Sequence, residues 1–249
     1  MWKGNPCGLA ALFSGILLIS FGGGSPALAA QSRGQRAHLE GATMIIEYNS
    51  TDQDLGIQFF LDSEGWRDLE ISDPSGTTIF STNASGSLQA EGGGSELFLE
   101  GDEPPVGEVS FKEFFDRFPV GTYRVSGHDS AGRSIDDKLV FNHEVPAGPK
   151  VVSPPQGSAC PTGLSSPVVI AWDPVTKSAF GKPISIVGYE VIVEGVDTNF
   201  DVHIPASAGT SLTISPESLE RGADYNFEVL AIAEGGNQTI TSGCFSTAP

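Results

Sequence analysis

Oxygen-bearing side chains alternate along residues 47–56, in a spacing that could bind a metal ion. The four candidate ligands are Glu47, Asn49, Asp52 and Asp54. Alternating carboxylates in a loop that leads to a glycine, here Gly56, resemble half of a calcium loop. Calcium requires about six to eight oxygen ligands and this segment offers about four, so Glu100 or Asp102 would have to complete the shell. Calcium is therefore the candidate cofactor in one interpretation of this segment.

The same segment also fits an ordinary β-turn. In that alternative the side chains of Asn49 and Asp52 cap backbone amides, as short polar side chains do in turns. The terminal glutamate of a complete calcium loop is absent from its usual place. The sequence leaves both interpretations open.

Catalytic motifs are not recognisable in the sequence. The four histidines lack the spacing of a zinc site, and there is no nucleophile elbow, phosphate loop or dinucleotide fingerprint. His128, Asp129 and Ser130 are consecutive, and neighbours in a turn cannot adopt the geometry of a hydrolase triad. We therefore expect a protein without catalytic residues.

Short segments of alternating polarity separated by turn residues fill most of the chain, and this pattern predicts an all-β protein. Prolines and a glycine at residues 145–149 interrupt the pattern and mark a domain boundary. We predict two tandem β-sandwiches, over residues 43–147 and 148–249. They follow a signal peptide over residues 1–30 and a flexible lead-in over residues 31–42.

Export is indicated by the apolar stretch over residues 8–21 and the small residues before position 30, which are typical of a cleaved secretory signal. The product is expected to be secreted or periplasmic, without membrane insertion after cleavage. Cys160 and Cys244 then remain, and in an oxidising compartment they are expected to pair, with two buried free thiols as the alternative. The net charge of −18 argues against nucleic acid and anionic membranes as partners.

One helix is predicted in the first sandwich. Ser110 and Glu113 fit a capping box, Pro119 ends the helix, and its phenylalanines share one face that plugs the end of the sandwich. The sequence from Pro119 through Gly121 to Tyr123 is similar to the corner of an immunoglobulin-like sandwich. The first domain is therefore expected to be immunoglobulin-like, with no family assigned.

Residues 149–249 resemble a fibronectin type III domain. The resemblance is carried by Trp172 in the second strand, Tyr189 at the start of the third, and Leu219, Gly222 and Tyr225 in the turn into the sixth. It implies a sandwich whose core centre is Trp172. It also implies that the Tyr225 hydroxyl bonds back to the main chain. Arg221, where the family often has proline, and the cysteine pair depart from the family pattern.

The resemblance implies a non-catalytic binding or adhesion protein whose partner is an extracellular protein or a polysaccharide. An acidic structural spacer and an unrecognised hydrolase of extracellular polymers are the alternatives. Trp66 is the candidate for an exposed aromatic that stacks on a sugar. Its alternative role is to pack on Leu69 and Ile71 beneath a hairpin.

Overall fold

The computed structural model describes residues 36–249. The predicted signal peptide lies outside the described residues. The first half contains β1 Gly41–Asn49, β2 Asp54–Trp66, β3 Asp68–Ser72, β4 Thr78–Asn83, α1 Gly86–Ala90, β5 Gly94–Glu100, α2 Phe111–Arg117, β6 Gly121–His128 and β7 Ser134–Phe141. The second half contains β8 Lys150–Ser153, β9 Val168–Asp173, β10 Ile186–Glu194, β11 Asn199–Pro205, β12 Ser211–Ile214, β13 Asp224–Ala233 and β14 Gln238–Ser246.

Alternation along the strands builds two separate hydrophobic cores, as expected for sandwiches. In β2, every second residue from Leu55 to Leu61 is buried in the first core. In β13, Tyr225, Phe227 and Val229 alternate into the second. We call β1–β7 with the first core the first module, and β8–β14 with the second core the second module. The all-β fold class predicted from the sequence is confirmed.

The two modules have the same strand order. In the first, β1, β2 and β5 face a four-stranded sheet ordered β4-β3-β6-β7. In the second, the three-stranded sheet is ordered β12-β9-β8 and the other four strands are ordered β11-β10-β13-β14. If the seven strands of each module are numbered 1 to 7 in chain order, both modules have three strands ordered 1-2-5 and four strands ordered 4-3-6-7. The first module, for which the sequence indicated only a loose immunoglobulin likeness, thus repeats the topology of the second.

A continuous seven-stranded sheet joins the modules, in the order β11-β10-β13-β14-β1-β2-β5. The joining pair is β1 with β14, which run parallel with Glu47 opposite Gln238 and Tyr48 opposite Thr239. Tyr48 belongs to the first core, and Thr239 is opposite Ala231 of the second core. Both cores therefore lie on the same side of the sheet, because directly paired residues share a face.

Side chains reinforce this junction. Asn237 is 1% exposed, and its Oδ1 accepts a 2.9 Å hydrogen bond from the Ile46 N–H, while its Nδ2 donates to the Asn142 Oδ1 at 2.9 Å. Phe180 of the second module places its ring centroid 5.0 Å from that of Phe111 in α2. The modules are thus held by main-chain pairing, a buried amide and aromatic contacts together.

The predicted helix is present as α2. The Ser110 hydroxyl accepts from the Glu113 N–H and the Glu113 carboxylate accepts from the Ser110 N–H, which completes the capping box. The lead-in predicted over residues 31–42 is too long, because the Ala37 N–H donates to the Ser134 carbonyl at 3.0 Å and β1 begins at Gly41. Pairing with β7 and β2 orders residues that composition alone marks as flexible.

Candidate functional site

The candidate site is the face of the seven-stranded sheet that points away from both cores, which we call the outer face. Successive side chains of a strand point to opposite faces. In β2 the residues between the core positions, Gln58 and Phe60 among them, therefore lie on the outer face. In β13 the same holds for Glu228 and Leu230. The hydrogen bond from Gln238 Nε2 to the Glu47 carboxylate lies on this face and crosses from one module to the other.

An apolar stripe crosses the outer face over six adjacent strands, from β10 to β5. Its members belong to neither core: they are Ile192, Leu230, Ile232, Ile240, Ile45, Phe60 and Phe98. Five strand spacings of about 4.8 Å make this stripe roughly 24 Å long. An antiparallel sheet with one face on its core normally carries polar residues on the other. The apolar stripe departs from that rule. Leu230 and Ile240 within it are buried, at 3% and 8% exposed, and only the members in β2 and β5 are more than a third exposed.

Two phenylalanines at one end of the stripe are its most accessible part. Phe60 in β2 and Phe98 in the edge strand β5 are directly opposite each other, and they are 40% and 43% exposed. Gln58 and Glu100 form the next pair on one side of them, and Asp62 and Glu96 the next pair on the other. The pair therefore presents aromatic surface between carboxylates.

Apart from one histidine, every ionisable carboxylate or amine side chain on the seven strands is acidic. None of these described strands contains a lysine or an arginine. Their acidic residues are Glu47, Asp54, Asp62, Glu64, Glu96, Glu100, Glu190, Glu194, Asp201, Asp224 and Glu228. His203, whose Nε2 lies 3.4 Å from Glu190, is the one side chain on these strands that can become positive. The other large sheet instead mixes charges, as in the ion pair between Arg124 and Asp136.

Carboxylates converge at the centre of the outer face, where the modules meet. One oxygen each from Glu47, Glu100 and Glu103 lie within 4.8 Å of one another. Burial first, and then the negative charges of Glu103, Glu100 and Glu228, raise the pKa of Glu47 to about 7, while the hydrogen bond from Gln238 opposes the shift. Gly56 makes room for this cluster, since a Cβ there would lie 2.8 Å from the Glu103 Oε1.

The structure does not bring the four predicted calcium ligands together in one cluster. Asn49 Oδ1 instead accepts hydrogen bonds from the N–H groups of Thr51 and Asp52, at 2.9 and 3.1 Å, and Asn49 Nδ2 donates to the Asp52 carboxylate. This is the β-turn alternative. Glu47 joins Glu100, as the sequence had suggested, together with Glu103 in place of Asp102. Asp54 lies opposite Asn49 at the start of β2.

The three converging oxygens, one from each carboxylate, are fewer than the six to eight that calcium requires. One of the Glu47 oxygens already accepts from Gln238. The geometry therefore carries no metal assignment. Calcium stays a prediction from the sequence.

Trp66 is 7% exposed, so the prediction of an exposed stacking aromatic at this position is wrong. A register irregularity between Asp62 and Trp66 changes the alternation of β2, and the ring lies in the first core with Leu69 and Ile71. Gly94, opposite Trp66, makes room, since a Cβ there would lie 2.5 Å from the ring. Among the described residues, the phenylalanines that are more than a third exposed are Phe60, Phe98 and Phe180.

The predicted structural residues of the second module lie in its core. Trp172 is 2% exposed, and Tyr189 packs edge-on against it with centroids 5.2 Å apart. Leu219 is also buried, and the Tyr225 hydroxyl accepts a 2.7 Å hydrogen bond from the main-chain N–H of Glu220. In the first module the Tyr123 hydroxyl donates to the Pro119 carbonyl at 3.0 Å.

The predicted disulfide between Cys160 and Cys244 is present, with Cα atoms 5.3 Å apart. It ties the segment between β8 and β9 to the last strand, β14.

Sequence reasoning missed the apolar stripe, although a signal for it exists. Residues 59 to 61 and 97 to 99 are uninterrupted apolar runs, and so is the run from Val229 to Ala233. A strand with one face on a core needs an apolar residue only at every second position. In each run, some apolar side chains must therefore face away from the core.

No family model matches the chain, and no curated protein matches its sequence. Among solved structures, the FN1-FN3 domains of chicken CNTN1 are 11% identical over 86% of this chain and 65% of theirs, with a TM-score of 0.33. A tetra-tandem repeat from the extending region of a large adhesion protein is 12% identical over 82% of this chain and 48% of its own, with a TM-score of 0.28. A structure described as a myokine is 18% identical over 43% of this chain and all of its own, with a TM-score of 0.31.

At such TM-scores none of these likenesses decides the fold or the function. The strand order and the core residues described above carry the fold, and they are consistent with a fibronectin type III-like sandwich. Within residues 36–249, no helix is long and apolar enough to span a membrane.

Proposed function

We propose that this protein is a non-catalytic secreted or periplasmic binding protein that holds an extracellular partner on its outer face. The observation that carries the proposal is the directly paired Phe60 and Phe98, which are 40% and 43% exposed on the side away from both cores. Patches of this kind on a sandwich surface mark sites of interaction. The disulfide between Cys160 and Cys244 supports an oxidising compartment outside the cytoplasm.

The continuous sheet supports the same proposal. Because β1 pairs with β14, the outer face continues from the second module to the first, and the polar pair of Gln238 with Glu47 lies at the crossing. A partner on the outer face would therefore contact both modules at once. A rigid surface also loses little conformational freedom on binding, which favours affinity.

Retention on immobilised polymers of different charge tests this proposal. The polymers are chitin, polylysine and heparin, and the variants are Phe60→Ser/Phe98→Ser and the control Val140→Ser, whose side chain is 78% exposed on the other large sheet. We expect at least one polymer to retain the wild type and the control but to retain the Phe60→Ser/Phe98→Ser variant about tenfold less. Equal retention of the two variants, or retention of the wild type by no polymer, would overturn the proposal.

A structural spacer is the second candidate, and the junction favours it. Asn237, Phe180 and the pairing of β1 with β14 fix the modules relative to each other. A spacer requires such rigidity but has no need of an apolar outer face. In the same experiment, a spacer would show no polymer retention that depends on Phe60 and Phe98.

A further inference from the structure

We infer that the parallel pairing of β1 with β14 is a mechanical clamp, through which the protein carries tension between the chain before β1 and the chain after β14. The clamp consists of residues 46–51, at the end of β1 and directly after it, and residues 237–242, directly before β14 and in its first part. The clamp does not require a partner on the outer face. It would allow a structural spacer to hold two attached structures together under force.

The direction of the two strands decides how a pulling force acts on them. The chain enters β1 at Gly41 and leaves β14 at Ser246. The strands are parallel, and the end of β1 is paired with the beginning of β14, so these two points lie at opposite ends of the paired segment. Tension between them therefore pulls the strands along their axes in opposite directions, which is shear.

Shear acts on all hydrogen bonds of a strand pair together. Bonds between strands run across the strand axis, so sliding one strand along the other breaks them at nearly the same time. A force directed across the strands would instead open the bonds one after another. Forced unfolding is governed by the unfolding rate, and a step that breaks several bonds at once has the higher barrier.

Side chains extend the clamp beyond the three directly paired residues of each strand. At one end, Asn237 accepts the bond from the Ile46 N–H. At the other end, the Ser50 N–H and hydroxyl both donate to the Ile240 carbonyl, at 2.8 and 2.7 Å, and the Thr51 hydroxyl accepts from a main-chain N–H of β14 at 2.9 Å. The clamp thus covers six consecutive residues of each segment, a length of about 20 Å.

The clamp gives tension a path that avoids both cores. The covalent link between the modules is residues 142–149, between β7 and β8. Without the clamp, tension would enter the first module at β1, leave it after β7, and then cross the second module from β8 to β14. With the clamp closed, tension passes directly from β1 to β14. As long as the clamp holds, neither core lies on the path.

The disulfide protects the second module further once the clamp has opened. Cys160 and Cys244 close a loop of 84 residues that contains β9 to β13. Tension that arrives through the link between the modules crosses from Cys160 to Cys244 through the covalent bond. Within the second module it therefore extends only residues 150–160.

Single-molecule force spectroscopy on residues 31–249, with one handle at each end, tests the inference. At constant force, we expect Ser50→Ala/Thr51→Ala to unfold about tenfold faster than the wild type, because it removes side-chain hydrogen bonds of the clamp. The control is Ser75→Ala/Thr77→Ala, which removes hydroxyls that bond each other in the turn between β3 and β4. It should leave the unfolding rate unchanged.

A second attachment separates resistance to shear from ordinary stability. Glu144→Cys places a thiol at an exposed position of the link between the modules, and a handle there replaces the handle at residue 249. Tension then crosses the first module alone and does not pass through the clamp. In this attachment, Ser50→Ala/Thr51→Ala should unfold no faster than the protein that carries Glu144→Cys alone.

Two results would overturn the inference. One is an equal unfolding rate of the wild type and Ser50→Ala/Thr51→Ala under end-to-end tension. The other is an equal acceleration by Ser50→Ala/Thr51→Ala in both attachments, which is an ordinary loss of stability. Neither result affects binding at the outer face, which retention on the polymers tests separately.

Discussion

Glu47 shows how one residue acquires its properties from the strands around it. In the sequence it is one of several acids near a turn. In the fold it is 8% exposed, in the strand pair that joins the modules, and it faces Glu100 and Glu103. Loss of water and the neighbouring charges both disfavour its ionised form, which is why its pKa rises to about 7.

This raised pKa predicts how stability depends on pH. The folded protein keeps a proton on Glu47 that the unfolded chain releases above pH 4.5, so the stabilisation is present below pH 4.5 and is lost as the pH rises through about 7. We expect Glu47→Gln to raise the free energy of unfolding by about 3 kcal/mol at pH 8 and by much less at pH 5. Denaturant unfolding at the two pH values measures the difference.

The control for this prediction is Glu96→Gln, which changes an exposed glutamate on the same face. It should alter the stability by a few tenths of a kcal/mol at either pH. An equal effect of Glu47→Gln at pH 5 and pH 8 would contradict the raised pKa.

The positions of the two cysteines among the strands determine which part of the fold the disulfide stabilises. Cys160 lies between β8 and β9, and Cys244 lies in β14 next to the last residues of the chain. The Leu164 N–H donates to the Ser246 carbonyl beside it, so the crosslink holds a segment that also pairs with β14. The bond therefore joins the beginning of the second module to its end.

Removing the crosslink should destabilise the second module. The chain-entropy model gives an upper value of about 4 to 5 kcal/mol for a loop of 84 residues. We expect Cys160→Ser/Cys244→Ser to lower the free energy of unfolding by up to that amount, as measured by denaturant titration. Reductant should lower the stability of the wild type similarly and leave the variant unaffected. A wild type insensitive to reductant would show that the loop is already constrained without the bond.

At the scale of the whole molecule, the junction makes two sandwiches into one structural unit. The continuous sheet is paired across the junction by β1 and β14, and Asn237 is bonded at once to β1 and to the segment that connects the modules. Unfolding one module would therefore expose buried groups of the other. This coupling is what a surface shared by both modules needs.

We accordingly predict a single calorimetric transition for the wild type. Asn237→Ala would leave the Ile46 N–H without its side-chain acceptor in a buried place and should cost about 1 to 3 kcal/mol. It should also separate the scan into two transitions, one for each module. The control Asn226→Ala removes an exposed asparagine of β13 and should leave one transition. Two transitions in the wild type would refute the coupling.

The sequence by itself determined what depends on neighbours along the chain. Alternation gave the strands and the all-β class, and Ser110 with Glu113 gave the helix start. The export context gave the pairing of Cys160 with Cys244. Each follows from local geometry or from compartment chemistry, which need no knowledge of distant contacts.

Only the tertiary structure decided the rest. The pairing of β1 with β14 joins residues about 190 positions apart, such as Glu47 and Gln238, and no local pattern encodes such a contact. A register irregularity in β2 turned Trp66 into the core, while regular alternation left Phe60 on the outer face. The face that a side chain takes depends on which strands become neighbours, so the candidate site appeared only when the seven strands were in one sheet.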